Sequence, residues 1–320
     1  MNRIKLSKKM PTVGVFYQKY GILFILVLEI IFFAIAHENF LTSTNLLSVG
    51  RQISFIGIAS IGMTMVMITG GIDISVGSML ALAGVVSAKL LVDGGVPLPL
   101  AIILTLLVGT FFGLINGVTS EIMHVPPLIS TLAMQTILKG IAFLITNALP
   151  VKGVSDSFKY LGQGYLWGWI PVPFLTMLLL FVVGWWFLEK SYFGRRIYVV
   201  GGNKEAARLS GIDTKKVIIS TYALCGFFAA LAGILMAGRL GSGQPSIGTN
   251  FPMDVLTATV LGGISVNGGK GSIVNVFFGA FIMGILSNGM IMLGLNEYWQ
   301  WLVKGFVLLF AVSMSNLKSK

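Results

Sequence analysis

Long apolar runs separated by short polar connections dominate the chain, and most are too uniformly apolar to be one-faced surface helices. Ten stand out, at residues 21–36, 53–69, 74–92, 98–119, 127–146, 171–188, 217–238, 254–265, 273–293 and 298–315. A helix needs about 20 predominantly apolar residues to cross a bilayer. The pattern predicts an all-α integral membrane protein with about ten transmembrane helices, the eighth too short to cross by itself. One transmembrane domain over residues 1–320 accounts for the whole chain, leaving little for a separate soluble domain. The first run follows a basic leader with Arg3, Lys5, Lys8, Lys9 and Lys19 and lacks a small-x-small cleavage pattern behind it, so it is expected to remain as an uncleaved first helix.

Glycine breaks this pattern in informative places. Gly109, Gly113 and Gly117 fall at four-residue spacing and put three bare backbone patches on one helical face, which lets another helix approach closely. The segments Gly70-Gly71-Ile72-Asp73-Ile74-Ser75-Val76-Gly77-Ser78 and Gly262-Gly263-Ile264-Ser265-Val266-Asn267-Gly268-Gly269-Lys270-Gly271-Ser272 read as helix breaks at membrane depth or at its edge. Irregular backbone is tolerated there only when buried in protein or lining a wet cavity, and in transporters it points toward the pathway. Residues 53–92 and 217–265 share a span, a Gly/Ser-rich break with an acid (Asp73, Asp254) and a second span, the outline of an inverted repeat.

Composition agrees. The chain is 55% hydrophobic and 10% charged, against about 25% charged in an average soluble domain, which excludes a soluble globular protein. Its net charge of +11 reflects the bias of basic residues toward cytoplasmic loops, with no nucleic-acid partner implied. With the N-terminus inside and sides alternating, 15 Lys and Arg fall on the cytoplasmic side (1–20, 189–216, 266–272, 316–320) and 5 outside (Arg51, Lys89, Lys152, Lys159, Arg239). Lys139 and Lys304 lie within spans. Both termini are thus expected in the cytoplasm. Of two long connections, the outer one, 147–173, carries Tyr160, Tyr165, Trp167 and Trp169, suited to the membrane interface. The inner one, 189–216, is the sizeable water-exposed cytoplasmic element where a soluble partner must mainly dock. Cys225 is the single cysteine and sits in an apolar stretch, so it reads as a small packing residue.

Catalytic chemistry is missing from the pattern. The second Gly-rich segment fails as a phosphate-binding loop: Ile264 stands where the first glycine belongs and Gly271 where the Ser or Thr for magnesium belongs. His37 and His124 are expected near opposite membrane faces, leaving no metal cluster, and no nucleophile has a base beside it. Polar residues inside spans are functional hypotheses because they are costly there. Glu29, Asn116, Gln135, Lys139, Asn275, Asn288 and Lys304 are of this kind. The candidate translocation pathway comprises Asp73, Ser75, Asn116, Gln135, Asp254 and Asn267, although helix capping is the commoner role for an aspartate beside a break.

The inner connection holds Gly201-Gly202-Asn203-Lys204-Glu205-Ala206-Ala207-Arg208-Leu209-Ser210-Gly211-Ile212-Asp213. Asn203 can cap a short helix, Glu205 suits its positive N-terminal end, and Gly211 can close it in the left-handed conformation. Ala206 and Ala207 would give it a slim face for a groove on another protein.

Glu205-Ala206-Ala207-x3-Gly211 resembles the coupling-loop pattern of the permeases of ATP-binding-cassette importers. Gly71-Ile72-Asp73-Ile74-Ser75-Val76-Gly77-Ser78, Val260-Leu261-Gly262-Gly263-Ile264-Ser265 and Gly268-Gly269-Lys270-Gly271 look like the sugar branch of that family, closest to ribose permeases. The resemblance runs from about Asn39 to Lys304. The Ile-x-Leu-Pro ending common after the coupling motif is absent beyond Gly211, which disfavours the maltose-type fold and agrees with the ribose and branched-chain amino-acid type. The resemblance implies an inner-membrane permease subunit importing a monosaccharide, with Asn203, Glu205, Ala206, Ala207 and Gly211 coupling it to a cytoplasmic ATPase. An extracytoplasmic sugar-binding protein and a second permease, identical or paralogous, would complete the importer. ATP and magnesium would be bound by the ATPase, with no cofactor on this chain. An ion-coupled secondary transporter using Glu29 or Asp73 is the alternative, and the Glu-Ala-Ala loop argues against it. The charge distribution makes one expectation direct: cysteines placed at Lys204 and Ser155 should react with impermeant thiol reagents from opposite sides, Lys204 from the cytoplasm, and labelling of both from one side would overturn the ten-span topology.

Overall fold

The structure, a computed structural model, describes residues 12–319. Arg3, Lys5, Lys8, Lys9 and Lys320, counted above for orientation, lie outside them. Each of the ten apolar runs coincides with a helix: α1 (Thr12–Ala36), α2 (Ser43–Ile68), α3 (Val76–Val92), α4 (Leu98–Glu121), α5 (Pro127–Thr146), α7 (Val172–Lys190), α10 (Thr214–Leu240), α11 (Phe251–Leu261), α12 (Ile273–Met292) and α13 (Glu297–Ser319). Between them lie the short helices α6 (Asp156–Gln163), α8 (Tyr192–Gly202) and α9 (Lys204–Leu209), and a hairpin pairing β1 (Tyr165–Leu166) with β2 (Ile170–Pro171). Among the described residues six helices, α2, α4, α5, α7, α10 and α12, are long and apolar enough to cross a membrane, while Gly21–Ala36 of α1, α3 and α11 are shorter apolar helices. The 11 residues of α11 rise only about 16 Å, half the hydrocarbon thickness.

Burial sorts the helices into a centre and a ring. In α2, 89% of the most apolar window is buried, and in α10 72%, against 22% in α4 and 28% in α5 and α7. The ring helices turn Leu, Ile, Val, Phe and Trp outward, among them Leu107, Phe111, Leu144, Val182, Trp186, Phe306 and Phe310. So broad an apolar exterior suits lipid, not water.

Glycine sets how close the central helices come. An ideal Cβ on Gly113 would meet the carbonyl of Tyr222 and the Cα of Ala223, and one on Gly117 would stand 2.7 Å from the Cα of Ile219. On Gly109 it would reach the carbonyl oxygen of Gly226 at 2.6 Å. The predicted glycine face of α4 therefore lies directly on the α10 backbone. A Cβ on Gly62 of α2 would meet the Cα of Cys225 at 2.6 Å, and Gly233 abuts the Leu80 carbonyl of α3. α10 thus touches α2, α3 and α4 backbone to backbone.

Three segments of irregular backbone interrupt this packing. Residues 69–75 separate α2 from α3, turning at Gly70 with φ +85°. Residues 262–272 follow α11 and carry positive φ at Gly263, Gly268, Gly269 and Gly271. The third, residues 241–250, lies where the repeat outline expects a break between the two spans of the second half. It leaves α10 at Gly241 (φ +65°) and runs back along α3, Gly243 lying against Gly84 and Ala88 and Gly248 against Gly77. Those contacts span about 16 Å of α3, so the segment re-enters the helical body before α11 begins. Asp254, the acid expected with that break, stands in the first turn of α11, just after this re-entrant segment.

The connection between α5 and α7 folds over one end of the body. Phe158 of α6 is fully buried, Gly162 packs on the backbone at Arg239, and Val151 pairs with Gly243. Arg51 donates to the Gln163 carbonyl at 2.7 Å and stacks 4.4 Å from the Tyr165 ring. Trp167 and Trp169 at the hairpin stay exposed. The opposite end carries α8, α9 and residues 262–272 and is called the basic face below.

Adding one methyl group separates the two kinds of glycine. Gly113→Ala should destabilise the purified protein by about 1–3 kcal/mol through backbone overpacking, whereas Gly140→Ala, with nothing near the added carbon, should leave stability unchanged or slightly raised. Thermal-unfolding midpoints in one detergent measure both, and equal midpoints would contradict the α4–α10 contact.

Candidate functional site

The break between α2 and α3 gathers three of the predicted pathway residues into one buried cluster. Asp73, Ser75 and Asn116 are 1%, 3% and 1% exposed. Asp73 Oδ1 accepts from the Ser75 backbone N–H at 2.9 Å and from its hydroxyl at 2.6 Å. Asn116 of α4 donates to the Ser75 hydroxyl at 2.9 Å and reaches Asp73 at 3.4 Å. The carboxylate thereby closes a short turn onto Ser75, the residue just before α3, without capping the first turn of that helix, and the amide fastens α4 to the break. Tyr222 and Cys225, one turn apart on α10, close the cluster: Tyr222 fits where Gly71 lacks a side chain, and Cys225 lies beside Asp73. Neither was singled out as a neighbour of Asp73, because nothing in the local pattern brings 73 and 222 together.

Gln135 and Lys139 occupy a second place. One turn apart on α5, they line a small, water-sized pocket with Ser78 and Ala81 of α3 and Pro245, Ile247, Gly248 and Thr249 of the re-entrant segment. This is irregular backbone lining a cavity with hydroxyl, amide and ammonium groups, the setting in which such backbone is tolerated inside a membrane protein.

The remaining polar residues separate from these. Asp254 pairs with Lys304 of α13 at 2.9 Å, and each side chain is largely buried, so the two lysine and aspartate positions form one interhelical ion pair. Asn288 and Asn45 exchange amide hydrogen bonds of 2.9 and 3.1 Å, joining α12 to α2. Asn267 is exposed in the turn of 262–272 on the basic face, its carbonyl beside Gly70 at the start of the first break. Asn275 lies in the first turn of α12, and Glu29 of α1 has neither carboxylate oxygen hydrogen-bonded. Among the described residues no group of three His, Cys, Asp or Glu is placed to hold a metal.

On the basic face α8 and α9 form a small helical hairpin. Asn203 caps α9 by accepting from the Ala206 N–H at 2.9 Å, and Gly211 ends the turn with φ +80°. Glu205 pairs with Arg208 at 2.6 Å, and the Arg208 guanidinium, by hydrogen bond first and charge second, holds the Glu205 carboxyl below its ordinary range. This pair therefore supports α9 above the ordinary carboxylate range and fades as pH falls through the lowered value, weakly because both groups are exposed. Ala207 is fully buried against the chain's own body, which corrects the slim outward face expected of Ala206 and Ala207 together. Ala206 is exposed, and Leu209, 78% exposed, is the outward apolar residue that joins it. A one-residue step around so short a helix turns the side chain by about 100°, which the Glu-Ala-Ala spelling does not resolve. Gly201 at the end of α8 lies against the Ile68 carbonyl, which also accepts from Gly269 N–H at 2.8 Å. The two predicted breaks therefore meet at the end of α2, directly beside this hairpin.

Residues 45–312 match the family model described as the branched-chain amino acid transport system / permease component. The chain is 41% identical over 304 residues to the ribose import permease protein RbsC of Bacillus subtilis, covering 94% of each. It is 42% identical over 284 residues to that of Escherichia coli K12, covering 88% of each. To the xylose transport system permease protein XylH of E. coli K12 it is 35% identical over 337 aligned positions, covering 87% of this chain and 86% of that one. No solved structure gives a significant match.

Ser75 tests the buried cluster. Ser75→Ala removes the acceptor for the Asn116 amide and one donor to Asp73, and is expected to cost about 1–3 kcal/mol of stability. Ser48→Ala, whose hydroxyl only bonds back to its own helix at an exposed site, should change the unfolding midpoint little.

Proposed function

Because the chain belongs to the branched-chain amino acid transport system / permease component family, we propose that it is the membrane subunit of an ATP-binding-cassette importer for a monosaccharide, with ribose the leading substrate. The observation that carries the coupling to an ATPase is α9: a capped helix, closed at a left-handed glycine, presenting Ala206 and Leu209 outward. The greater identity to the ribose permeases than to the xylose permease favours ribose. The family also supports an extracytoplasmic binding protein and a second permease copy or paralogue as partners, and the basic face as the cytoplasmic side of the inner membrane.

In this reading the permease makes and breaks no covalent bond. Its work is to pack differently in outward-open and inward-open states, with ATP bound and hydrolysed in the partner. Closure of the ATPase pushes on α9 and α8, and α8 bears at Gly201 on the junction of the two breaks. A sugar in transit exchanges water for Gln135, Lys139, Ser78 and Thr249, groups that donate to and accept from hydroxyls without requiring tight binding. The binding protein supplies the affinity.

The reading is tested in proteoliposomes holding the permease with its cognate ATPase and binding protein, supplied with radiolabelled D-ribose and D-xylose. Leu209→Asp removes an apolar contact worth about 1.5–3 kcal/mol when buried, so ribose uptake and ribose-stimulated ATP hydrolysis should fall together by about tenfold or more. Gly211→Val, strained at positive φ, should do the same. Normal uptake and stimulated hydrolysis in both variants would remove α9 as the coupling element, and no ribose-dependent uptake by the unaltered complex would remove ribose.

A further inference from the structure

Glu121 occupies an unfavourable place. It is the last residue of α4, where the helix dipole already presents negative partial charge, and its side chain is only 8% exposed. A buried carboxylate there needs a cation, and it is met from 83 positions away by Lys204, the first residue of α9, whose ammonium group lies 2.8 Å from Oε1 and 2.9 Å from Oε2. Other pairs among the described residues, Lys89–Asp93, Lys159–Asp156, Arg208–Glu205 and Lys216–Asp213, bridge neighbours three or four apart. Only Lys304–Asp254 and this one tie distant helices together.

What Glu121 is attached to gives the contact its consequence. α4 lies on α10 along the whole of Gly109, Gly113 and Gly117, with nothing larger than the Ala230 methyl between the backbones to absorb a displacement. Asn116, five residues or about 7.5 Å back along the axis, holds Ser75 and Asp73. The chain Lys204, Glu121, α4, Asn116, Ser75 is therefore continuous from the basic face to the break between α2 and α3. α9 has its fuller packing on α8, its neighbour in sequence, so the ion pair is its firm hold on α4.

We propose that Lys204 and Glu121 form the joint through which movement of α9 is passed to α4 and, through Asn116, to the Asp73–Ser75 break. The proposal rests on the reading of α9 as the element the ATPase moves. Lys204 and Glu121 are positioning residues; neither need touch the sugar. A purely structural ion pair would hold the fold equally at every stage of the cycle. A joint must also carry force, so its loss should leave ATP hydrolysis running while transport falls behind.

The test uses the complete complex in proteoliposomes. Lys204→Met and Glu121→Gln should each lower ribose transported per ATP hydrolysed by about fivefold or more, with the ATPase still co-purifying. The reversed pair Lys204→Glu with Glu121→Lys should recover most of the ratio. It is expected to be well tolerated, because it places an acid at the start of α9 and a base at the end of α4, as both helix dipoles favour. Hydrogen exchange gives a second measure: ATP-induced protection changes in residues 69–76 should be lost in Lys204→Met while those in α9 persist. Single variants with the unaltered ratio, a reversed pair no better than the singles, or an exchange change at 69–76 that survives Lys204→Met would each overturn the joint. If the unaltered complex shows no hydrolysis stimulated by either D-ribose or D-xylose, the importer reading itself fails, a result distinct from any of these.

Discussion

The contact on which the rest of the structure depends is the bare backbone of α10 lying against α2, α3 and α4. In a membrane the hydrophobic effect does little to press one apolar helix on another, since lipid tails are as apolar as leucine. What remains is dispersion at close range and hydrogen bonding between the few polar groups. Glycine at 62, 109, 113, 117, 226 and 233 brings main chains near enough for dispersion to act over long lengths of helix. This is why α2 and α10 are buried although their sequences are no more apolar than that of α4.

The close packing also decides where irregular backbone is tolerated. Unpaired peptide groups in lipid are too costly to persist, so each interruption lies against protein. Residues 69–75 are covered by α4 and α10, residues 241–250 lie in the groove of α3 beside Gly77 and Gly84, and 262–272 rests on the end of α2. Polar side chains follow the same rule. Asp73 is served by Ser75 and Asn116, Asp254 by Lys304, and Asn288 by Asn45.

For a transport permease, these features set a mechanical problem. A rigid centre transmits displacement, and the irregular segments are the places able to change shape. The hairpin of α8 and α9 touches both kinds of element, through Gly201 at the end of α2 and Lys204 at the end of α4. A small movement there need not be amplified by flexible linkers, because glycine-lined backbone contacts admit few intermediate arrangements.

The sequence by itself determined the class of protein, the places of its apolar helices, the glycine face of α4 and the capped helix ending at Gly211. Each is written within one helix length: hydropathy reports the medium, four-residue spacing reports a face, and a residue able to adopt positive φ reports a helix end. Family motifs added the transport role, which composition alone could not supply. Only the tertiary structure decided which residues meet. A break between the spans at 217–238 and 254–265 is legible, but the return of Gly241 to Thr249 along α3 is not, because its path depends on glycines at 77 and 84 far away in sequence. Ala207 turns inward and Leu209 outward because the seating of α9 on the body fixes its rotation. Asp254 finds Lys304, Asn45 finds Asn288 and Glu121 finds Lys204 for the same reason: a buried polar group takes whatever partner the packing of distant helices brings within reach, and that geometry is not contained in either residue's local neighbourhood.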